Sequence, residues 1–160
     1  MTASIDEIRS VYERRHAAYC RTFARLAGSV AAGHDIVQET FARALRYRGS
    51  YAGPSLEAWL WGIGVRLLAD ERRRPSVVPL PAEDVLGAPD PGWPRGPLGA
   101  AVRTLPERQR VMVFLFYYAD LSYAEIAAAC DVEVGTVGSS LAAARARLLA
   151  VLGGTEVRDG

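Results

Sequence analysis

The chain has 160 residues, half of them hydrophobic and 23% charged, and its net charge is only +1. This balance is typical of a folded globular protein and excludes an intrinsically disordered chain. No run of eighteen apolar residues occurs, and the first residues lack the basic and apolar segments of a signal peptide. We therefore predict a cytoplasmic protein without membrane insertion. The two cysteines, Cys20 and Cys130, are far apart and predict no disulfide framework.

Charge is distributed unevenly along the chain. All nineteen basic residues are arginines. Residues 1–74 carry twelve arginines against eight acidic residues, a net charge of +4, whereas residues 98–152 carry five of each. If the chain binds nucleic acid, the amino-terminal part is expected to supply most of the attraction.

Proline divides the chain into two parts. Seven of the nine prolines lie within residues 75–97, which predicts a semi-extended linker. On both sides of it the apolar residues recur at helical spacing. The predicted fold class is therefore all-α, with two small helical domains over residues 1–74 and 98–152 and a tail over residues 153–160.

The amino-terminal half predicts three helices. A capping box starts the first helix at Ser4, and Gly28 and Gly33 bracket the break that follows it. We expect the second helix from His34 to Tyr47 and the third from Leu56 to Arg74. The inward positions of the second helix are predicted to be Val37, Phe41, Ala44 and Leu45.

The carboxy-terminal half predicts a helix-turn-helix. A short helix near residues 98–104 precedes a longer one whose first residue is Pro106. Ser122 begins a second capping box, and a tight turn at residues 131–133 leads to a long helix from Val134. Short helix, three-residue turn and long helix are the order of a DNA-binding helix-turn-helix. The buried stripe of the long helix is predicted to be Val134, Val137, Leu141, Ala144, Leu148 and Val151.

The segment VMVFLFYY at residues 111–118 is apolar around the whole helix. One stripe can pack beneath the helix-turn-helix, but eight successive residues point in every direction. The stripe consists of Val111, Leu115 and Tyr118, and the large side chains of Met112, Phe114, Phe116 and Tyr117 cannot all join it. We expect the two halves to pack together in the free protein and to open on partner binding; the alternative is a larger domain core.

No residue pattern indicates an enzyme. His16 and His34 have no cysteine or carboxylate at metal-ligand spacing, and neither a phosphate loop nor a nucleophile elbow occurs. We predict no catalytic residue, metal or cofactor. Cys20 and Cys130 lie on apolar helical faces, which favours buried, inert thiols over a redox switch.

Six motifs together resemble a known family. They are DIVQETF at residues 35–41, AWLWGI at 58–63, DERRR at 70–74, LPERQR at 105–110, LSYAEIA at 121–127 and VGTV at 134–137. In this order they resemble the second and fourth conserved regions of bacterial RNA polymerase sigma factors of the extracytoplasmic-function (ECF) group, in the sigma-70 family. The resemblance covers about residues 8–74 and 98–152.

The resemblance implies an alternative sigma factor that binds core RNA polymerase, directs it to particular promoters and helps to open the duplex. The implied partners are core RNA polymerase, promoter DNA (double-stranded upstream and single-stranded at the minus-ten element) and an anti-sigma factor as a further candidate. Asp35, Gln38 and Glu39 match the surface that docks on the clamp helices of the polymerase. They share one helical face, whose alternative interpretation is an ordinary solvated surface.

The resemblance also implies two sets of DNA contacts, for which aromatic and arginine side chains are suited. The candidates around the minus-ten element are Tyr47, Tyr51, Arg66, Arg73 and Arg74. The candidates in the recognition helix are Thr136, Ser139, Ser140, Arg145 and Arg147. Trp59 and Trp61 are expected to be core residues rather than base-stacking ones.

Three departures from the family pattern bear on promoter recognition. Residues 65–66 replace an Arg-Asn pair, and residues 33–34 replace an acidic pair. Gly138, Ser140 and Ala143 stand where the recognition helix is commonly basic. Two alternatives therefore stay open: a sigma-like regulator that binds core polymerase or an anti-sigma partner with weakened promoter recognition, and a free-standing helix-turn-helix repressor.

Overall fold

The computed structural model describes residues 2–73 and 92–156, and it confirms the all-α prediction for these residues. The α-helices are α1 (Ile5–Ala27), α2 (Val30–Arg46), α3 (Leu56–Arg73), α4 (Gly96–Arg103), α5 (Glu107–Tyr117), α6 (Tyr123–Cys130) and α7 (Val134–Glu156). A 3-10 turn at Arg48–Ser50 connects α2 with the loop before α3. Arg74 and most of the predicted linker and tail lie outside the described residues.

Both predicted capping boxes are present. The Ser4 hydroxyl accepts a hydrogen bond from the Glu7 backbone N–H at 3.1 Å, and the Glu7 carboxylate accepts one from the Ser4 N–H at 2.8 Å. Ser122 and Glu125 repeat this exchange at the start of α6. Each cap satisfies amides that the first helical turn leaves without partners, which stabilises the helix by about 1 kcal/mol.

The second helix begins four residues before the predicted His34. Of the two glycines predicted to bracket the break, only Gly28 takes a left-handed conformation, with φ of 83°. Ser29 caps α2 by accepting a hydrogen bond from the Ala32 N–H at 3.0 Å. Gly33 lies inside the helix, where an added Cβ would come 2.4 Å from the Ala24 backbone nitrogen. Gly33 is therefore a close-approach residue between α1 and α2, and the prediction that it ends a break was wrong.

The core of the amino-terminal half centres on three aromatic residues. Tyr19, Phe23 and Trp61 are fully buried, and the Tyr19 and Trp61 rings stack with centroids 3.8 Å apart. Trp59 is half-buried, with its ring edge-on to Tyr51 at 5.6 Å. Leu45 was wrongly predicted as inward: it is 40% exposed, because α2 turns Val37, Phe41 and Ala44 to the core and leaves Leu45 at its margin.

The helix-turn-helix is formed by α6 and α7. Val137, Leu141 and Ala144 are fully buried, but Val134 and Val151 are exposed by 49% and 40%. The predicted stripe was therefore too long at both ends. Val134 is the first residue of α7, and Val151 lies near the end of a 23-residue helix that is longer than α5 and α6, which have 11 and 8 residues. Pro106 caps α5 instead of being its first residue.

The two halves pack on one another in a single continuous core. Helix α3 lies against α6 at Gly62, where an added Cβ would meet the Ala129 carbonyl oxygen at 3.3 Å. Arg15 donates from Nη2 to the Ala119 carbonyl at 2.6 Å, so α1 also contacts the segment after α5. The close packing at Gly62 and the hydrogen bond from Arg15 join the two halves. The apolar segment at residues 111–118 had predicted this packed arrangement.

Burial along α5 differs from the predicted stripe. Residues 111–115 are all buried, whereas Phe116 is half-buried and Tyr117 is exposed. Tyr118 was wrongly predicted as a core residue: it is 38% exposed, with the Arg25 guanidinium 4.3 Å from its ring centroid. It fails to join the core because its ring packs against a charged side chain of α1.

No single helix in the described part of the chain is long and apolar enough to cross a membrane. Helices α6 and α7 have sufficient length and apolar composition only when they are taken together, and the two are bent by 101° at the turn between them.

Candidate functional site

The exposed face of α2 carries the residues predicted to bind polymerase. Asp35, Gln38 and Glu39 are all exposed, while the intervening Ile36 and Val37 are buried against the core. The Glu39 carboxylate accepts a hydrogen bond from Arg43 Nε at 2.8 Å. An exposed pair of this kind contributes only about 0.3–0.5 kcal/mol, so a partner can displace it at small cost.

An apolar groove lies beside this face, between α1 and α2. It encloses about 410 Å³ and is lined by Ile5, Ile8, Arg9, Tyr12, Phe41, Ala42 and Leu45. Tyr12 packs edge-on against Phe41 with ring centroids 5.0 Å apart. Sequence reasoning missed this groove because it treated Leu45 as a core residue. The polar face of α2 thus continues into an apolar surface at Leu45, a combination common in protein interfaces.

The predicted minus-ten residues lie on the segment after α2 and on α3. Tyr47 is 53% exposed, whereas Tyr51 is half-buried against Trp59. Arg66 and Arg73 are both exposed and are seven residues apart on α3, which places them on the same helical face. The described segment thus has one exposed tyrosine and two exposed arginines on one face of α3, and Arg74 lies outside the described residues.

The first turns of α7 present a small, uncharged surface. Ser139 is exposed and donates from its hydroxyl to the Thr136 carbonyl at 3.1 Å, while Thr136 and Ser140 are half-buried. Gly138 lies close to the Tyr123 ring, which an added Cβ would meet at 3.7 Å. This surface can approach a DNA groove closely but offers no cation to phosphates.

The two arginines further along α7 differ in their surroundings. Arg147 is exposed. Arg145 donates from Nε to the Tyr117 hydroxyl at 3.0 Å, and its guanidinium lies 5.9 Å from the Phe116 ring centroid. Its hydrogen bonds, first to Tyr117 and then to Tyr123, raise the pKa of Arg145. Arg145 is therefore held toward α5 rather than beside Thr136 and Ser139.

Both cysteines have the properties of inert thiols. Burial raises the pKa of Cys20, and it raises the pKa of Cys130 to about 11. The thiolate fraction at neutral pH is therefore small. Among the described residues no three His, Cys, Asp or Glu side chains are grouped so that they could hold a metal ion.

Comparison with known proteins decides the family. The family model "Sigma-70 region 2" matches residues 11–76, and "Sigma-70, region 4" matches residues 95–148. The ECF RNA polymerase sigma factor SigL of Mycobacterium tuberculosis is 31% identical over 148 residues, which is 84% of this chain and 82% of SigL. The chain belongs to the ECF sigma factors.

Two other relatives of this ECF sigma factor support the same family assignment. EcfG of Rhodopseudomonas palustris is 35% identical over 145 residues, covering 82% of the chain and 78% of EcfG. SigE of Mycolicibacterium smegmatis is 33% identical over 136 residues; the match covers 78% of the chain but only 53% of SigE. Like its family, this ECF sigma factor is a transcription initiation factor and not an enzyme.

Solved structures share the fold of this ECF sigma factor. The sigma factor RpoE in complex with the anti-sigma factor NepR from Bartonella quintana has a TM-score of 0.66 and 24% identity, covering 93% of this chain and 98% of that chain. CnrH in complex with the cytosolic domain of CnrY has a TM-score of 0.69 and 23% identity, and the match covers 95% of this chain and 91% of that chain.

Proposed function

We propose that this ECF sigma factor binds core RNA polymerase through the exposed polar face of α2 and works in the cytoplasm. The observation that carries the proposal is the joint exposure of Asp35, Gln38 and Glu39 within the matched region 2. Their buried neighbours Ile36 and Val37 fix the helix, so the three side chains stay aligned on the outside. Because the helix is already formed, little backbone freedom is lost when a partner binds this face.

The two halves of the chain have different proposed roles, and their net charges differ. Residues 1–74, as region 2, bind polymerase and read the minus-ten element; residues 98–152, as region 4, carry the upstream helix-turn-helix. The predicted linker, residues 75–97, connects them and includes the first two residues of α4, and the predicted tail begins inside α7, which extends to Glu156. Because the first segment has a net charge of +4 and the second is neutral, the first supplies most of the attraction to DNA.

Within region 2, each side chain type has a separate task. Tyr47 is exposed beside α2, where its ring can stack on an extruded base, with Tyr51 nearby along the chain. Arg66 and Arg73 hold phosphates of the separated strand along one face of α3. The protein brings no chemistry of its own, since nucleotide addition belongs to the polymerase.

An anti-sigma factor is a further partner in this proposal. The similar RpoE structure is a complex with the anti-sigma factor NepR. In the present chain the apolar groove between α1 and α2 exposes Ile5, Tyr12 and Leu45, which suits a protein partner.

A second candidate function is favoured by the neutral start of α7. Ser139 and the half-buried Thr136 and Ser140 provide no charge at the groove-facing end of the helix. A sigma-like regulator with weakened promoter recognition would use core binding without reading the upstream element. Both functions use the exposed face of α2 to bind core polymerase, and they differ in whether α7 reads the upstream promoter element.

Run-off transcription with purified core polymerase separates the functions. The proposal predicts a product that starts at defined promoters and requires the added chain. Core binding without product would support the regulator instead. Binding to a DNA site without core, and no binding to core, would contradict both and indicate a helix-turn-helix repressor.

A further inference from the structure

Arginines from both halves converge where α1 and α3 meet the segment before α4 and the start of α5. A cavity of about 410 Å³ lies there, hereafter the junction cavity. Its lining includes Arg25 and Arg72 from the first half and Arg103 and Arg110 from the second. Trp93 also lines it, with the Arg103 guanidinium 5.2 Å from its ring centroid. Four cations therefore face one small space.

A neighbouring cavity extends this basic region. It encloses about 530 Å³, shares Arg72 with the junction cavity and adds Arg73 and Arg108. Glu107 lines it too and forms an ion pair with Arg72 at 3.0 Å. Within the described part of the chain, Glu107 is the only acidic residue that lines either cavity. One carboxylate cannot balance the arginines around it.

The arginines of the junction cavity bond mainly to neutral groups. Arg25 donates from Nε to the Gly92 carbonyl at 2.7 Å, and Arg72 donates to the Leu26 carbonyl. The Arg110 Nε is buried and has no hydrogen-bond partner among the described residues. Burial, and secondly the charge of Arg72, lower the pKa of Arg110. The cavity thus holds positive charge and at least one donor that an anion would satisfy.

We propose that the junction cavity binds a small anion carrying two or more phosphate groups. Guanidinium groups pair with phosphate oxygens through parallel hydrogen bonds, and several phosphates are needed to reach arginines on both walls. The volume of about 410 Å³ lies in the range of small-molecule sites. Because Arg25 and Arg72 come from one half and Arg103 and Arg110 from the other, the bound anion stabilises the packed arrangement of the halves.

Thermal unfolding of the full chain tests this site with pyrophosphate as the probe. Sodium chloride is adjusted to hold ionic strength constant, so that general screening does not change. Binding to the folded state raises the midpoint with pyrophosphate concentration, and orthophosphate is expected to raise it less. A midpoint that follows ionic strength alone, with pyrophosphate equal to chloride, would overturn the proposal.

Charge-removing variants locate the site. Arg103→Gln and Arg110→Gln are each expected to weaken pyrophosphate binding roughly tenfold, because each loses a charge-assisted hydrogen bond. Arg103 is exposed, so its variant tests the site even if Arg110→Gln unfolds. Arg9→Gln is the matched control, since Arg9 lies sixteen residues, or about 24 Å, before Arg25 on α1. Equal affinity in Arg103→Gln and the control would contradict the assignment.

Two further probes identify the source of the phosphates. ATP is expected to stabilise the chain at least as well as pyrophosphate, in an Arg103-dependent manner. A dT8 oligonucleotide tests whether the cavity binds single-stranded DNA instead. Stabilisation by the oligonucleotide but not by pyrophosphate would overturn the small-anion proposal and show that the cavity takes a DNA backbone. Neither result depends on core polymerase, so the outcome is independent of the proposed function.

Discussion

Arginines near the predicted promoter surfaces are held in different ways. Arg66 and Arg73 are exposed on one face of α3. Arg72, next to Arg73, is paired with Glu107, and Arg145 is bonded to Tyr117. An arginine with protein partners must exchange or share them to bind a phosphate. We therefore expect the contacts with the separated strand to come from Arg66 and Arg73.

Replacing both Arg66 and Arg73 by alanine is predicted to reduce the salt dependence of open-complex formation. Each lost phosphate contact releases about one fewer counterion, so the slope against log salt should fall by about one unit per arginine. The measurement is promoter opening at several salt concentrations, with Arg14→Ala, an exposed arginine of α1, as control. An unchanged slope in the double variant, combined with a reduced slope in Arg147→Ala, would assign the contact to α7 instead.

The elements predicted best from sequence are those with strong local signals. The capping boxes at Ser4 and Ser122 start α1 and α6 where predicted, because each box satisfies amides within one turn. The start of α2 could not be predicted, since Gly33 is required by a contact with Ala24 of another helix. The exposed face of α2 follows from periodicity and the family motif.

The hydrogen-bond partner of Arg145 is a feature of the candidate site that could not be predicted from the sequence. Tyr117 lies 28 residues away, and their hydrogen bond depends on how α7 crosses α5. The groove at Leu45 was missed for a similar reason, because helical spacing places a residue at the margin of a face without showing whether a neighbour covers it.

Packing of α1 on α2 is predicted to fail when Gly33 gains a side chain. Gly33→Ala places Cβ 2.4 Å from a backbone atom that cannot rotate away, so the free energy of unfolding should fall by about 1–3 kcal/mol. Gly135→Ala is the control: nothing lies within 4 Å of that Cβ, and alanine favours a helix by up to about 1 kcal/mol. Urea unfolding measures both. A stabilised Gly33→Ala would refute the close approach.

At the scale of the whole molecule, the two halves share one core although they are proposed to read separate promoter elements. Helix α3, which carries Arg66 and Arg73, packs on α6 of the helix-turn-helix at Gly62. The Arg72–Glu107 ion pair and the bond from Arg15 to the Ala119 carbonyl join the halves at further points. We therefore expect core binding to separate them.

Gly62→Leu is predicted to separate the halves without core polymerase. The added side chain meets the Ala129 carbonyl, so α3 and α6 cannot keep their distance. Cys130, which lines the cavity between the halves, should then be alkylated faster, whereas Cys20 on α1 serves as an internal control. Peptide-level mass spectrometry reads both thiols. The closed arrangement is wrong if Cys130 reacts at the wild-type rate.

Core binding through α2 is tested most directly by the affinity of purified core polymerase for the variant with Gln38→Ala and Glu39→Ala. Both side chains are exposed, so helicity and thermal stability should stay nearly unchanged. Affinity is predicted to fall at least tenfold, as about 1.4 kcal/mol is lost at an interface centre. Glu13→Ala, an exposed change on α1, should bind like wild type. Wild-type affinity in the double variant would contradict the account.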